Sequence, residues 1–120
     1  MPAIPPNDRV RLQHMLDMAR KATDFVAGKS RTDLDADEKL GLALVRALEI
    51  IGEAANHVSP QVRNELPGIP WRQIIGMRNR IIHAYYHVDL NIVWETIRDD
   101  LPTLITAVDI ALKPPPSGAA

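Results

Sequence analysis

Apolar residues return with a helical period through most of the chain, and no stretch alternates with the period of a strand. Val10, Met15, Met18, Ala19, Ala22, Phe25 and Val26 mark a first helix, with Asn7 or Asp8 placed to cap it and Gly28 to end it. An acidic loop from Thr32 to Asp37 leads into a second, longer helix that opens at Glu38-Lys39-Leu40. Its apolar side runs through Leu44, Val45, Leu48, Ile51, Ala54, Ala55 and Val58. Ser59-Pro60 reads as an N-cap followed by proline at the first helical position. That predicts a short extra helix over Pro60 to Glu65, halted by Leu66-Pro67-Gly68-Ile69-Pro70.

Pro70 then opens a third long helix, with Trp71, Ile74, Ile75, Met77, Ile81, Ile82 and Tyr85 on or near its apolar side. Gly76 lies inside it, a choice that costs up to roughly 1 kcal/mol against Ala and so suggests close packing there. Asp89 caps a fourth helix through Ile92, Val93, Trp94, Ile97 and Leu101, and Pro102 either kinks it or begins a segment reaching Leu112. The expectation is an all-α, antiparallel four-helix bundle with short connections and a short extra helix. Residues 1–7 form a Pro-rich N-terminal segment, 8–112 the helical domain, and 113–120 a disordered Pro-rich tail.

Composition narrows the chemistry. At 120 residues the chain is large enough for one self-sufficient core. It has no Cys, which removes disulfides, thiolate metal sites and a cysteine nucleophile, and suits a reducing cytoplasm. Neither a basic, apolar leader nor a membrane-length apolar run is present, so a cytoplasmic protein is expected. The formal charge of -1 argues against a surface that is basic throughout. It conceals a local excess: from Pro70 to Val88 stand Arg72, Arg78, Arg80, His83 and His87 without one carboxylate.

If the third helix continues through Tyr85, Asn79 and His83 are neighbours one turn apart, and Arg78 and Tyr85 are nearly aligned two turns apart. Arg78 and His83, five apart, diverge on one helix, and symmetric pairing of two bundles would bring two Arg-His sets into one cleft. Their chemistry suits RNA cleavage without a metal. Histidine exchanges a proton near neutral pH, and guanidinium offers a permanent planar cation to phosphate. Asn79 is placed to orient the imidazole or bind phosphate, Arg80 to hold the flanking backbone, and the Tyr85 hydroxyl to contact RNA or be modified. An Arg and a His at this spacing are nonetheless common by chance.

Other groupings are weaker. His83 and His87 have a two-histidine metal spacing, but no Glu stands between them and no third ligand is evident, so no metal and no cofactor is expected. Glu49 and Glu53, one turn apart on the second helix, form a surface pair or a polar support facing the motif helix, with a solvated face the favoured reading. Trp71 and Trp94 read as core or interface anchors, not base-stacking platforms.

The run Arg78-x4-His83-Ala84-Tyr85, preceded by Ile75-Gly76-Met77 and followed by Tyr86-His87-Val88-Asp89, resembles the Arg-x4-His-x-Tyr signature of HepT-like HEPN proteins. Arg46 to Ala55 and Leu66 to Trp71 look like that family's second helix and pre-motif loop, and the likeness spans roughly Asp8 to Leu112. The resemblance implies a homodimeric toxin of a toxin-antitoxin pair. It would cut RNA as a metal-independent endoribonuclease, with Arg78 and His83 of both protomers in a shared cleft. It also implies an antitoxin partner, an MntA-like nucleotidyltransferase that silences the toxin by AMPylation of Tyr85. The alternative is a non-catalytic HEPN subunit that binds a nucleotide or the nucleotidyltransferase.

Overall fold

The computed structural model describes residues 4–83 and 87–113, the side chains of Ile82 and His83 excepted. Their architecture is an all-α bundle. Helix α1 (Pro6–Phe25) is followed by the short α2 (Arg31–Ala36), the long α3 (Glu38–Asn56) and the short α4 (Pro60–Glu65). A third rod consists of α5 (Trp71–Ile75) and α6 (Met77–Ile81). A fourth runs from α7 (Leu90–Glu95) through a π-helical turn (Thr96–Asp100) into α8 (Leu101–Leu112). Helix α3 is the centre, packing on α1, α5 and α6, and α1 also packs on α8.

Burial explains the arrangement. Leu12, Met15, Leu16, Ala19 and Ala22 of α1 meet Leu44, Leu48, Ile51 and Ala55 of α3, and Leu101, Leu104 and Val108 of α8 close the far side. Each large side chain withdrawn this way stabilises the fold by about 1.5–3 kcal/mol before chain entropy is counted. The inward stripe of α1 differs from the expected one. Val10 and Phe25 face solvent, at 51% and 42% exposure, while Leu12 and Leu16 supply the contact.

Local chemistry sets the helix ends. Asp8 does not cap α1. It lies buried in the first turn and accepts the Ser59 amide at 2.7 Å and the Ser59 hydroxyl at 2.9 Å. The same hydroxyl accepts from the Val62 amide at 3.3 Å as the N-cap of α4, so one serine starts one helix and fastens another. The expected acidic loop contains α2, because Asp33 accepts from the Ser30 amide and closes a capping box while Leu34 is buried beneath it. After α1, Gly28 takes a φ of +76°, a left-handed turn that glycine enters without steric cost.

The third rod departs most from its periodicity. It bends at Gly76, whose ψ of 2° opens the helix while the Gly76 amide still reaches the Arg72 carbonyl at 3.0 Å. The helix then stops at Ile81, not at Tyr85. Ile82 and His83 form a two-residue antiparallel pair with Val88 and His87, and the Asp89 amide donates to the Ile81 carbonyl at 2.7 Å. Two β-branched residues and a backbone partner four to six residues on outweigh a continuing apolar period. Asp89 caps α7 as expected, accepting from the Asn91 and Ile92 amides.

Pro102 stands in the first turn of α8, which reaches Leu112 as expected. Proline cannot supply the amide of a helical turn, and the ladder widens ahead of it, with the Leu101 amide reaching the Thr96 carbonyl five residues back. At the other end Lys113 is described, its ammonium 3.6 Å from Asp109. The expected disordered stretch beyond it lies outside the described residues. No helix among the described residues is long and apolar enough to cross a membrane.

Of these two glycines, it is Gly52 and not Gly76 that admits a neighbouring helix. A Cβ on Gly52 would lie 2.9 Å from the Ile74 carbonyl oxygen, a backbone atom that cannot swing aside. Gly52→Ala is expected to destabilise the protein by about 1–3 kcal/mol through overpacking. Gly68→Ala, where nothing lies within 4 Å, should be near neutral. Urea midpoints for both variants check this; equal midpoints would refute the close approach.

Candidate active site

The approach of α3 to α5 places Arg78, in the first turn of α6, over the outer face of α3. A groove of about 420 Å³ opens there, lined by Leu48, Glu49, Gly52, Glu53, Asn56, Ile75 and Arg78. Leu48 and Ile75 form its apolar floor and wall, and the two carboxylates and the guanidinium stand at its polar rim. Arg78 Nε is 3.8 Å from Glu49 Oε2. The arginine side chain is 72% exposed and its partner 27%, so water screens the pair and its contribution to stability is at most about 1 kcal/mol. An arginine so loosely held is free to turn to an anionic ligand.

The two readings of Glu49 and Glu53 divide between them: Glu49 faces the motif helix as a polar support, and Glu53 stays exposed at the groove's rim. A signal was available: they flank Gly52 at i−3 and i+1, and a glycine that admits a neighbouring helix pulls adjacent side chains to the edge of that contact.

Arg80, two residues on, faces elsewhere. Its Nη1 is 4.0 Å from Asp100 Oδ2 in the π-helical turn, and this nitrogen is buried with no hydrogen-bond partner among the described residues. Burial pushes the Asp100 carboxyl above the usual carboxylate range, and the Arg80 charge pulls it part of the way back. Arg80 thus ties the end of α6 to the fourth rod. Arg78 and Arg80 are not brought together.

Asn79 is exposed on α6 between them. His83 lies beyond the end of the helix, its backbone opposite His87 in the strand pair. The helical rotation on which the expected one-turn spacing of Asn79 and His83 depends ends at Ile81, and the His83 side chain lies outside the described residues. The two histidines are cross-strand partners, not successive turns of a helix. Tyr85 lies outside the described residues. Among the described residues no three His, Asp or Glu side chains gather as a metal site would require.

The chain belongs to the Ribonuclease HepT-like family, whose pattern matches residues 15–110. A provisionally named RNase of Methanocaldococcus jannaschii is 30% identical over 99 residues, covering 82% of this chain and 91% of the relative. A provisionally named RNase of Caldanaerobacter subterraneus subsp. tengcongensis is 40% identical over 96 residues, 80% of this chain and 86% of the relative. A protein of Thermococcus cleftensis named probable ribonuclease HepT is 43% identical over 72 residues, 60% of this chain and 66% of that one. No solved structure matches the chain. The chain is thus a member of a ribonuclease family.

Replacing Arg80 by Met keeps the stem and removes the charge that lowers the Asp100 pKa. The Asp100 pKa should then rise further. Because a raised carboxyl pKa favours the fold in its protonated form, that contribution is lost as pH climbs through the folded pKa, and in Arg80→Met the loss moves to higher pH. A carboxyl-carbon NMR titration reads this directly, and an unmoved midpoint would show that the two groups do not interact.

Proposed function

We propose that this protein is the toxin of a toxin-antitoxin pair, a metal-independent endoribonuclease whose working groups are Arg78 and His83. The observation that carries the reading is the exposed Arg78 at its groove, five residues ahead of His83 in the motif of a ribonuclease family. In this reading the His83 imidazole takes the proton of the ribose 2′-hydroxyl, whose oxygen attacks the adjacent phosphorus. The bond to the 5′-oxygen breaks, and an imidazolium returns a proton to that leaving oxygen. The Arg78 guanidinium stabilises the charge that grows on the non-bridging oxygens. Asn79 orients the substrate or the imidazole, and Arg80, through Asp100, holds the motif helix in place.

One imidazole cannot be base and acid on opposite sides of the phosphorus at once. Two copies related by a two-fold axis, each giving an Arg78 and a His83 to one cleft, supply both, and the working unit is accordingly a homodimer. Control falls to Tyr85. A nucleotidyltransferase antitoxin transfers AMP from ATP to the tyrosine hydroxyl, releasing pyrophosphate. The added negative charge and bulk beside the cleft repel RNA and obstruct the pair.

Purified wild type should cleave total RNA with EDTA present, and Arg78→Ala and His83→Ala should each lose roughly a hundredfold or more of that rate. In cells, only the wild type should arrest growth. Equal harmlessness of all three would sink the toxin reading and leave a non-catalytic binding subunit. Separately, incubation with the cognate nucleotidyltransferase and ATP should add the mass of AMP to the peptide carrying Tyr85. The same mass on a Tyr85→Phe chain would refute the assignment.

A further inference from the structure

The groove beside Arg78 is a poor place to hold RNA by itself. Its charged side chains are Arg78, Glu49 and Glu53, one positive against two negative, a formal sum of -1. RNA affinity rests largely on cations that neutralise phosphates. An anchoring surface is therefore required close by.

A second groove, about 600 Å³, adjoins the first. It is lined by Pro60, Arg63, Asn64, Trp71, Arg72, Ile75 and Gly76, and Ile75 is common to both grooves. Its volume is within the range of ligand sites. It presents two guanidiniums, a carboxamide and an indole, with no carboxylate among its lining residues. Arg72 is exposed. Arg63 is partly buried, and its Nε is fully enclosed with no hydrogen-bond partner among the described residues. Trp71 is half-buried, and its indole N–H donates to the Leu66 carbonyl at 2.9 Å, which fixes the ring plane at the groove wall.

We infer that this second groove is an RNA-anchoring subsite. It holds a nucleotide one step beyond the two joined by the scissile bond, with a backbone phosphate on Arg63 and Arg72 and a base against Trp71. The inference rests on the ribonuclease reading of the Arg78 groove and adds to it where the rest of the strand lies. Guanidinium forks suit phosphate oxygens, and an aromatic face accepts any base, so the subsite confers affinity with little sequence preference. A strand in it would pass over Ile75 to reach Arg78. The bend at Gly76 lies along that path, so Arg72 and Arg78 belong to one continuous surface even though they sit on different helical segments.

Two measurements test this on the full chain. The first is equilibrium binding of a short, uncleavable 2′-O-methyl oligoribonucleotide at several salt concentrations. Arg72→Gln and Arg63→Gln should each weaken binding about tenfold and lower the salt slope by about one, with circular dichroism confirming an intact helical fold. The second is cleavage of a dinucleotide substrate against a longer RNA. Both variants should raise KM for the longer RNA about tenfold and leave kcat on the dinucleotide unchanged. If wild type and both well-folded variants bind with one affinity and one salt slope, or if wild type does not bind, the subsite is overturned. If binding depends on the two arginines but no RNA is ever cut, the subsite stands and the ribonuclease reading fails. Cleavage with an unchanged KM for the longer RNA overturns the subsite and leaves that reading intact.

Discussion

The contact on which the site depends is made by an absence. At Gly52 the backbone of α3 meets the Ile74 carbonyl at a distance that no Cβ would permit. Dispersion forces act over a few tenths of an ångström, so this approach decides how tightly α5 lies on the central helix. It also brings Glu49 within reach of Arg78 and shapes the groove between them. Were the two helices held apart by a methyl group, Arg78 would still be exposed, but over a wider and flatter surface.

Much of this was legible in sequence. The central helix and the short α4 follow from the apolar period and from the Ser59-Pro60 start, because both signals are local. The inward face of α1 was less so. Leu12 and Leu16 compete there with Val10 and Phe25, and only the position of α3 and α8 decides which set is covered. The third rod misled for another reason. Ile81, Ile82 and Tyr85 keep a helical spacing, yet the backbone at Ile82 and His83 pairs with Val88 and His87 a few residues on, a local antiparallel pairing that a helical period cannot report. Gly76 was rightly singled out as unusual but serves as a bend, and the close packing expected of it belongs to Gly52.

The candidate site divides in the same way. Arg78 and Arg80 look equivalent as neighbouring cations in a basic run, but packing separates them. One stands at a groove beside a carboxylate on the central helix, and the other is drawn to Asp100 on the fourth rod. The first is weakly held and available. The second is half-exposed, with one nitrogen buried toward Asp100. A residue list cannot make that distinction, since it depends on which side of α6 each side chain leaves. Nor does the net charge reveal that the basic groove around Arg63 and Arg72 lies next to an acidic one.

The π-helical turn has its own consequence. Along the fourth rod the core residues Val93, Ile97 and Leu101 are spaced by four, and in an ideal helix each such step over-rotates by about 40°. A wider turn takes up that excess, so the seam stays aligned on the core while the chain gains a residue. The turn is thus a phase corrector. It sets the angular position of Asp100, and through Asp100 that of Arg80, by residue count alone, so a single deletion within it would rotate the tether away without changing any side chain of the motif.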